Sequence, residues 1–302
     1  MMPSHQVAAV FGLGAMGYGM ASSLMRSGIS TYGFDVVAAQ MEKFQSEGGQ
    51  KGSIADAANE VSIAIVAVLN AEQSQDVLFG ANGIVPQLSN GSVVIACATV
   101  PPEFAKDMEK RCAEHGVAYL DAPISGGSVK AASGDLSIMA SGTKEAFAIA
   151  KPALDACAQT VFDLGEAAGA GSAMKAVNQL LAGVHIATMA EALTFGMTQG
   201  VTADKFIEVI SQCAGSSWML ENRAPHIAQG DYTPLSQINI WPKDLGIVLD
   251  VAKTAGFSAP ITSAALQQYM VAVGMGLGGE DDAAIAKVYA RNVGLKLPGE
   301  TQ

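Results

Sequence analysis

Apolar residues follow two different rhythms along the chain, and the change falls a little past its midpoint. In the first half, short apolar runs at 6–11, 31–34, 61–68, 93–98 and 117–120 alternate with longer amphipathic stretches, several of them helical in pattern. Runs that are apolar at successive positions have both faces buried, so this alternation predicts a parallel-rich sheet covered by helices on either side. Two further runs at 136–141 and 160–164, around a helical pattern at 144–158, extend the strands, and the sheet is expected to end near Leu164. From Gly165 the rhythm becomes helical: residues 168–199 contain no proline and would make about 45 Å of continuous helix. Segments 201–213, 218–230, 243–256 and 263–277 read as further helices separated by Gly, Pro or Ser. The fold class predicted is an α/β N-terminal domain over 1–166, a long interdomain helix, and an all-α C-terminal domain over 167–302.

Composition narrows the partners. The 302 residues are half apolar and only 15% charged, which excludes an intrinsically disordered chain. A formal net charge of -11 with no Lys/Arg cluster argues against nucleic acid as a partner. It also makes the few basic residues informative, because an acidic chain that handles an anion must build a local positive pocket; Lys175, Lys243 and Arg223 are the ones to follow. Cys97, Cys112, Cys157 and Cys213 form no CxxC pair and have no histidine at ligand spacing, so no metal site is expected and reduced buried thiols are. No basic leader segment and no apolar run of membrane-spanning length is seen, which makes the cytoplasm the expected location and a membrane an unexpected partner.

The sharpest local signal is Gly12-Leu13-Gly14-Ala15-Met16-Gly17, which follows an apolar strand and opens a helical segment that runs to Arg26 before Gly28. In such a turn the first glycine permits the bend, the second lets backbone approach a pyrophosphate and the third lets helix and strand pack closely. An ordinary glycine turn would share the spacing. Asp35 ends the second strand, where a carboxylate can accept from ribose hydroxyls and repel a 2′-phosphate, and no base follows it before Lys43. The cofactor expected is therefore NAD rather than NADP. Asn70 and Thr99 stand at later strand ends that border the same crevice; Asn70 is equally well placed as a turn former, and Thr99 suits the nicotinamide side.

Three more motifs complete the set: Asp121-Ala122-Pro123-Ile124-Ser125-Gly126-Gly127, then Gly171-Ser172-Ala173-Met174-Lys175-Ala176-Val177-Asn178-Gln179, then Lys243-Asp244-Leu245. Together with the glycine turn, and from about Val7 to about Tyr289, they resemble the β-hydroxyacid dehydrogenase family. The resemblance implies a Rossmann-like N-terminal domain, NAD-dependent oxidation of a small hydroxycarboxylic acid, and a homodimer or homotetramer. It implies that Lys175 is the general acid/base on the substrate hydroxyl, that Ser125, Gly126 and Gly127 bind the substrate carboxylate, and that Lys243 reaches cofactor or substrate. A partly desolvated ammonium suits that acid/base role because desolvation lowers its pKa. The stem of Lys175 is expected to be exposed, so that its loss would stop chemistry and leave folding intact.

Many relatives carry two asparagines where this chain has Asn178 and Gln179, and both still share a helix face with Lys175. Segments 180–187, 217–223 and 230–234 are most similar to a branch that acts on a polyhydroxylated four-carbon acid, which makes Asn178, Gln179 and His185 candidate partners for extra hydroxyls. His185 is as well read as a packing histidine, and Trp218 and Arg223 as core or interface residues. Asp244 either orients Lys243 or caps its helix, and Trp241-Pro242 is expected just ahead of that helix. The readings that compete are dehydrogenases of 3-hydroxyisobutyrate or of tartronate semialdehyde type, a non-catalytic NAD-binding protein, and an imine-reducing relative; the presence of Lys175 argues against the last two.

Overall fold

The computed structural model describes residues 6–299; the outermost ends of the two expected domains, 1–5 and 300–302, lie outside the described residues. Contacts divide the chain into two compact units between Lys175 and Ala176. The expected boundary at 166/167 lies earlier in the chain, just ahead of the helix Ala170–Thr198 in which that division falls.

The first unit opens with β1 (Val7–Phe11), α1 (Ala15–Arg26), β2 (Ser30–Phe34), α2 (Ala38–Ser46), α3 (Ile54–Ala58), β3 (Ile63–Val66), α4 (Ala71–Phe79), β4 (Val93–Ala96), α5 (Pro102–Glu114) and β5 (Ala118–Asp121). The five strands pair in parallel in the order β2-β1-β3-β4-β5, with Phe11 level with both Phe34 and Val66. Strand order therefore reverses between β1 and β3, and the crevice beyond the carboxyl ends at that switch point is where such sheets bind ligands. Alternate residues go to opposite cores: Ala8, Val10, Ile63, Ile65, Val93 and Ile95 to one, Ala9, Phe11, Ala64, Val66, Val94 and Ala96 to the other. That is why these strands read as continuous apolar runs.

After β5 come β6 (Ile124–Ser125), α6 (Gly127–Ser133), β7 (Leu136–Ala140), α7 (Lys144–Cys157) and β8 (Ala158–Asp163). The late strands do not extend the first sheet as expected. They form a separate three-stranded sheet, with β6 antiparallel and β8 parallel to β7, because the two-residue β6 turns the chain back immediately after Asp121.

The helix α8 (Ala170–Thr198) runs from the first unit into the second, which continues with α9 (Ala203–Ile210), α10 (Trp218–Gln229), α11 (Ile240–Thr254), α12 (Pro260–Gly274) and α13 (Ala286–Asn292). Their core gathers Ile186, Leu193, Trp241, Leu245, Tyr269 and Ile285. Two expectations need correction here. Helix α11 begins at Ile240 and so includes Trp241 and Pro242; a proline in the first turn lacks an N–H that has no helical partner anyway. Helix α8 is long and apolar enough, by length and composition, to cross a membrane, although no such run was expected. Within the second unit its apolar side chains Ile186, Met189, Ala190 and Leu193 are core residues. Of the four thiols, Cys97, Cys112 and Cys157 are buried but Cys213 is exposed.

Candidate active site

The glycine turn is shaped by steric necessity at two of its three glycines. Gly12 has φ +92°, and a Cβ there would come within 2.6 Å of the Ala67 carbonyl oxygen; a Cβ on Gly17 would lie 1.9 Å from the Gly12 oxygen. Gly14 is different. A Cβ on it would meet nothing within 4 Å, so none of the described residues requires a glycine there. The space over Gly14 is open, α1 begins directly after it, and no side chain caps that helix start. Open room over unsatisfied N–H groups suits a pyrophosphate, so the residues present fit a dinucleotide.

Asp35 sits just beyond β2, with its Oδ2 accepting from Leu13 N at 2.6 Å and its Oδ1 from Val37 N at 2.8 Å. One carboxylate thus ties the glycine turn to the end of the second strand. Leu13 is buried, Ala15 starts α1, and Met16 packs against the core beneath it. Asn70 caps α4, its Oδ1 accepting from Gln73 N at 2.8 Å, and Thr99 is half-buried just past β4.

Beyond β5 the chain makes a second glycine loop. Ser125 is half-buried at the end of β6, and Gly126 and Gly127 follow with φ +136° and +74°. Gly126 has two reasons to be glycine, since its Cβ would also collide with Lys130 at 2.9 Å. Lys175 arrives at this loop from α8: Nζ donates to the Ile124 carbonyl oxygen at 2.9 Å, next in sequence to Ser125.

What holds Lys175 there is a residue that sequence reasoning quoted without giving it a role. Asp121, 1% exposed at the end of β5, accepts from Gly169 N at 2.9 Å and Ser172 N at 2.8 Å through Oδ2, and from Ser172 Oγ at 2.7 Å through Oδ1. Gly171 N donates to Ser141 Oγ at 2.9 Å, and a Cβ on Gly171 would strike the Met139 and Asp121 carbonyl oxygens at 2.5 and 2.6 Å. The first turn of α8 is therefore pinned against β5 and β7 by a buried carboxylate and by a glycine that only backbone contact explains. Burial pushes the Asp121 carboxyl above its usual range, against the opposing pull of its hydrogen bonds to Ser172, Gly169 and Ser141. An aspartate at a strand end shortly before a helix lysine was the available signal.

In the second unit Asn178 and Gln179 stand one turn after Lys175 on α8. Asn178 Nδ2 donates to Gln179 Oε1 at 2.9 Å, and Gln179 Nε2 donates to Asp244 Oδ2 at 2.5 Å. The other oxygen of Asp244 pairs with Lys243 Nζ at 2.5 Å. With α11 starting at Ile240, Asp244 lies too far inside the helix to cap it; it orients Lys243 and Gln179 instead. His185 is half-buried and ten residues beyond Lys175, about 15 Å along the helix axis. Arg223 is a core residue, its Nε 2.6 Å from Asp282 Oδ1, and Trp241 Nε1 reaches Asp282 Oδ2 at 3.1 Å. Trp218 is exposed at the start of α10.

A parallel sheet with a glycine turn at its switch point, and a buried lysine led back to a second glycine loop, is the arrangement of a Rossmann-type dehydrogenase. Residues 7–165 match the family model described as the NAD binding domain of 6-phosphogluconate dehydrogenase, and residues 169–289 match that of the NAD-binding region of NADP-dependent 3-hydroxyisobutyrate dehydrogenase. The chain belongs to this 3-hydroxyisobutyrate dehydrogenase family of NAD-binding hydroxyacid dehydrogenases. It is 47% identical to the L-threonate dehydrogenase of Cupriavidus necator over 97% of this chain and 98% of that one. It is 42% identical to the L-threonate dehydrogenase of Haemophilus influenzae over 96% of both chains. The crystal structure of 3-hydroxyisobutyrate dehydrogenase from Salmonella typhimurium superposes with a TM-score of 0.88 at 40% identity, covering 94% of this chain and 99% of that one.

Proposed function

We propose that the chain oxidises the hydroxyl of L-threonate to give 2-oxo-tetronate, with NAD as its cofactor. The observation that carries the reaction is the placement of Lys175, whose buried amine donates to Ile124 O beside the Ser125-Gly126-Gly127 loop. A neutral amine that donates to a carbonyl still has its lone pair, and that lone pair takes the substrate hydroxyl proton as the C–H bond at the same carbon gives up its hydride. NAD, when bound, supplies the hydride acceptor. Ser125 and the backbone N–H groups of Gly126 and Gly127 hold the substrate carboxylate, which sets the hydroxyl toward Lys175. Gly12 to Gly17 bind the cofactor pyrophosphate and Asp35 the ribose, while Asn70 and Thr99 complete the contacts that this unit makes to the cofactor. Asn178, one turn beyond Lys175, meets the rest of the substrate, and Gln179, whose amide is committed to Asn178 and Asp244, supports it from behind.

The substrate is supported by the relatives at 42–47% identity named for L-threonate. NAD over NADP is supported by Asp35, whose carboxylate would repel a 2′-phosphate; the NADP in the name of the second family model describes another protein. A second reading, 3-hydroxyisobutyrate oxidation, is favoured by the Salmonella structure. NADH formation across a panel of three- and four-carbon hydroxy acids separates the two. The highest kcat/KM is expected for L-threonate; a higher value for 3-hydroxyisobutyrate exchanges the readings, and NAD binding with no turnover of any hydroxy acid overturns both. The exposed apolar residues of α12 support a homodimer or homotetramer as the working form.

A further inference from the structure

The hydrogen bonds that link Lys243, Asp244, Gln179 and Asn178 run in one direction. Both oxygens of Asp244 can only accept: Oδ1 takes Lys243 Nζ and Oδ2 takes Gln179 Nε2. An amide carries its oxygen and nitrogen on opposite sides of one carbon. With its nitrogen committed to Asp244, Gln179 presents Oε1 to Asn178, and Asn178 answers with Nδ2. The same logic applied once more turns Asn178 Oδ1 away from Gln179, as an acceptor. Turning Gln179 over would set its oxygen against a carboxylate that is 2% exposed, an acceptor facing an acceptor with no water to relieve them. Lys243 thus fixes Asp244, Asp244 fixes Gln179, and Gln179 fixes Asn178.

Asn178 follows Lys175 by one helical turn, so on the function proposed above its remaining amide atom, Oδ1, meets the carbon next to the one being oxidised. We propose that Asp244 and Gln179 are positioning residues that hold Asn178 as a hydrogen-bond acceptor and so select substrates with a donor, a hydroxyl, on the neighbouring carbon. The glutamine is essential to the relay. An aliphatic side chain there carries no polarity from Asp244, and Asn178 is then oriented by nothing.

The test compares kcat/KM for L-threonate with that for analogues in which the C3 or C4 hydroxyl is replaced in turn by fluorine, which has similar size but cannot donate. The electronic effect of fluorine on hydride loss is common to all variants and cancels when the hydroxyl-to-fluorine ratio is compared between them. In D244N, Lys243 holds the new amide oxygen, the new amide nitrogen faces Gln179, and the chain reverses to present Asn178 as a donor. The ratio at the position read by Asn178 is expected to fall about tenfold, because fluorine then faces an amide donor instead of an acceptor while the hydroxyl can accept in place of donating; the other position stays as in wild type. The double variant D244N/Q179E puts a carboxylate, which accepts on both sides, between two amide donors. It restores the outward acceptor and is expected to recover the ratio to within about threefold of wild type. A structural role alone predicts no such rescue.

A D244N ratio within about twofold of wild type, or a double variant no better than D244N, overturns the relay. If D244N does not fold, Q179L decides: the ratio falls there too, and an unchanged ratio overturns the proposal. Wild-type protein that binds NAD but turns over none of these acids overturns the functional reading, and the relay with it; an intact wild-type activity with invariant ratios overturns the relay alone.

Discussion

Lys175 reaches its carbonyl partner only by burying a four-carbon stem, and the whole residue is 8% exposed. The stem had been expected in solvent, so that alanine would leave stability untouched; in its buried position alanine would open a cavity and orphan the Ile124 carbonyl. Lys175→Met keeps most of the volume and is the cleaner probe. Its kcat is expected to fall on the order of 100- to 10,000-fold with NAD affinity unchanged, as measured by stopped-flow turnover and NAD titration. Lys175→Arg should be nearly as inactive, because a guanidinium does not give up its proton. More than about a tenth of wild-type kcat in Lys175→Met would remove the lysine from the mechanism. Asp35 gives a second test at this scale. Because it accepts from Leu13 N and, on the function proposed, also meets the ribose, Asp35→Ala should loosen the turn and remove the repulsion of a 2′-phosphate together. The kcat/KM preference for NAD over NADP should narrow by about tenfold or more, with NAD kcat/KM itself falling; a preference for NADP in the wild type would refute the cofactor assignment. Both residues stand out in the sequence because each belongs to a short motif with a defined spacing. The partners of Asp244 and Asp121 do not, since Gln179 lies 65 residues from Asp244 and Ser172 lies 51 residues from Asp121. Pairings that distant leave no periodic trace in a sequence.

Helix α8 owes its start to tertiary contacts, as helix N-termini buried away from water must. Two of its backbone donors and the Ser172 hydroxyl end on Asp121, so Asp121→Ala would leave buried N–H groups without acceptors, at roughly 1–3 kcal/mol each. A lowered thermal midpoint is expected, accompanied by a kcat loss larger than the KM change, since the displaced turn carries Lys175. Asp121→Asn should recover much of both, because its amide oxygen can keep Gly169 N and Ser172 N while its amide nitrogen donates to the Ser172 hydroxyl, which can accept as well as donate. An unchanged melting curve in Asp121→Ala would show that α8 is anchored elsewhere. The existence of this helix was plain from 168–199, and most strands of the parallel sheet were found within a residue or two, because burial on both faces writes itself into composition. The separate second sheet was not found. Its first strand is two residues long, shorter than any hydrophobic period, and only its pairing with β7 reveals it. The sequence pattern puts the start of α11 three residues late, at Lys243, because a proline reads as a boundary even where the first turn tolerates it.

At the scale of the molecule, the apolar character of the second half has to be reconciled with water. Half of all residues are apolar, and in the second unit the buried core does not use all of them. Helix α12 is apolar around most of its circumference: Ala265, Tyr269 and Ala272 are buried, while Ile261, Met270 and Val271 face outward, with Phe257 exposed just ahead of it. A helix apolar on every side is ordinarily buried on every side. Exposed apolar groups of this size, gathered on one element, are what an interface between copies of a chain uses, and a net charge of -11 would otherwise hold copies apart. Light scattering after size exclusion is expected to give a dimer or tetramer at micromolar concentration. The double substitution Ile261→Glu with Met270→Glu should weaken association by on the order of 100-fold or more, since each change trades about 1.5–3 kcal/mol of apolar burial for a charge without a partner. The far-ultraviolet circular dichroism of the variant should stay that of the wild type, because both side chains lie outside the core of their own unit. Wild-type protein that runs as a monomer at tens of micromolar would show that α12 faces solvent after all; a variant that stays oligomeric would move the interface to another face of the helical unit.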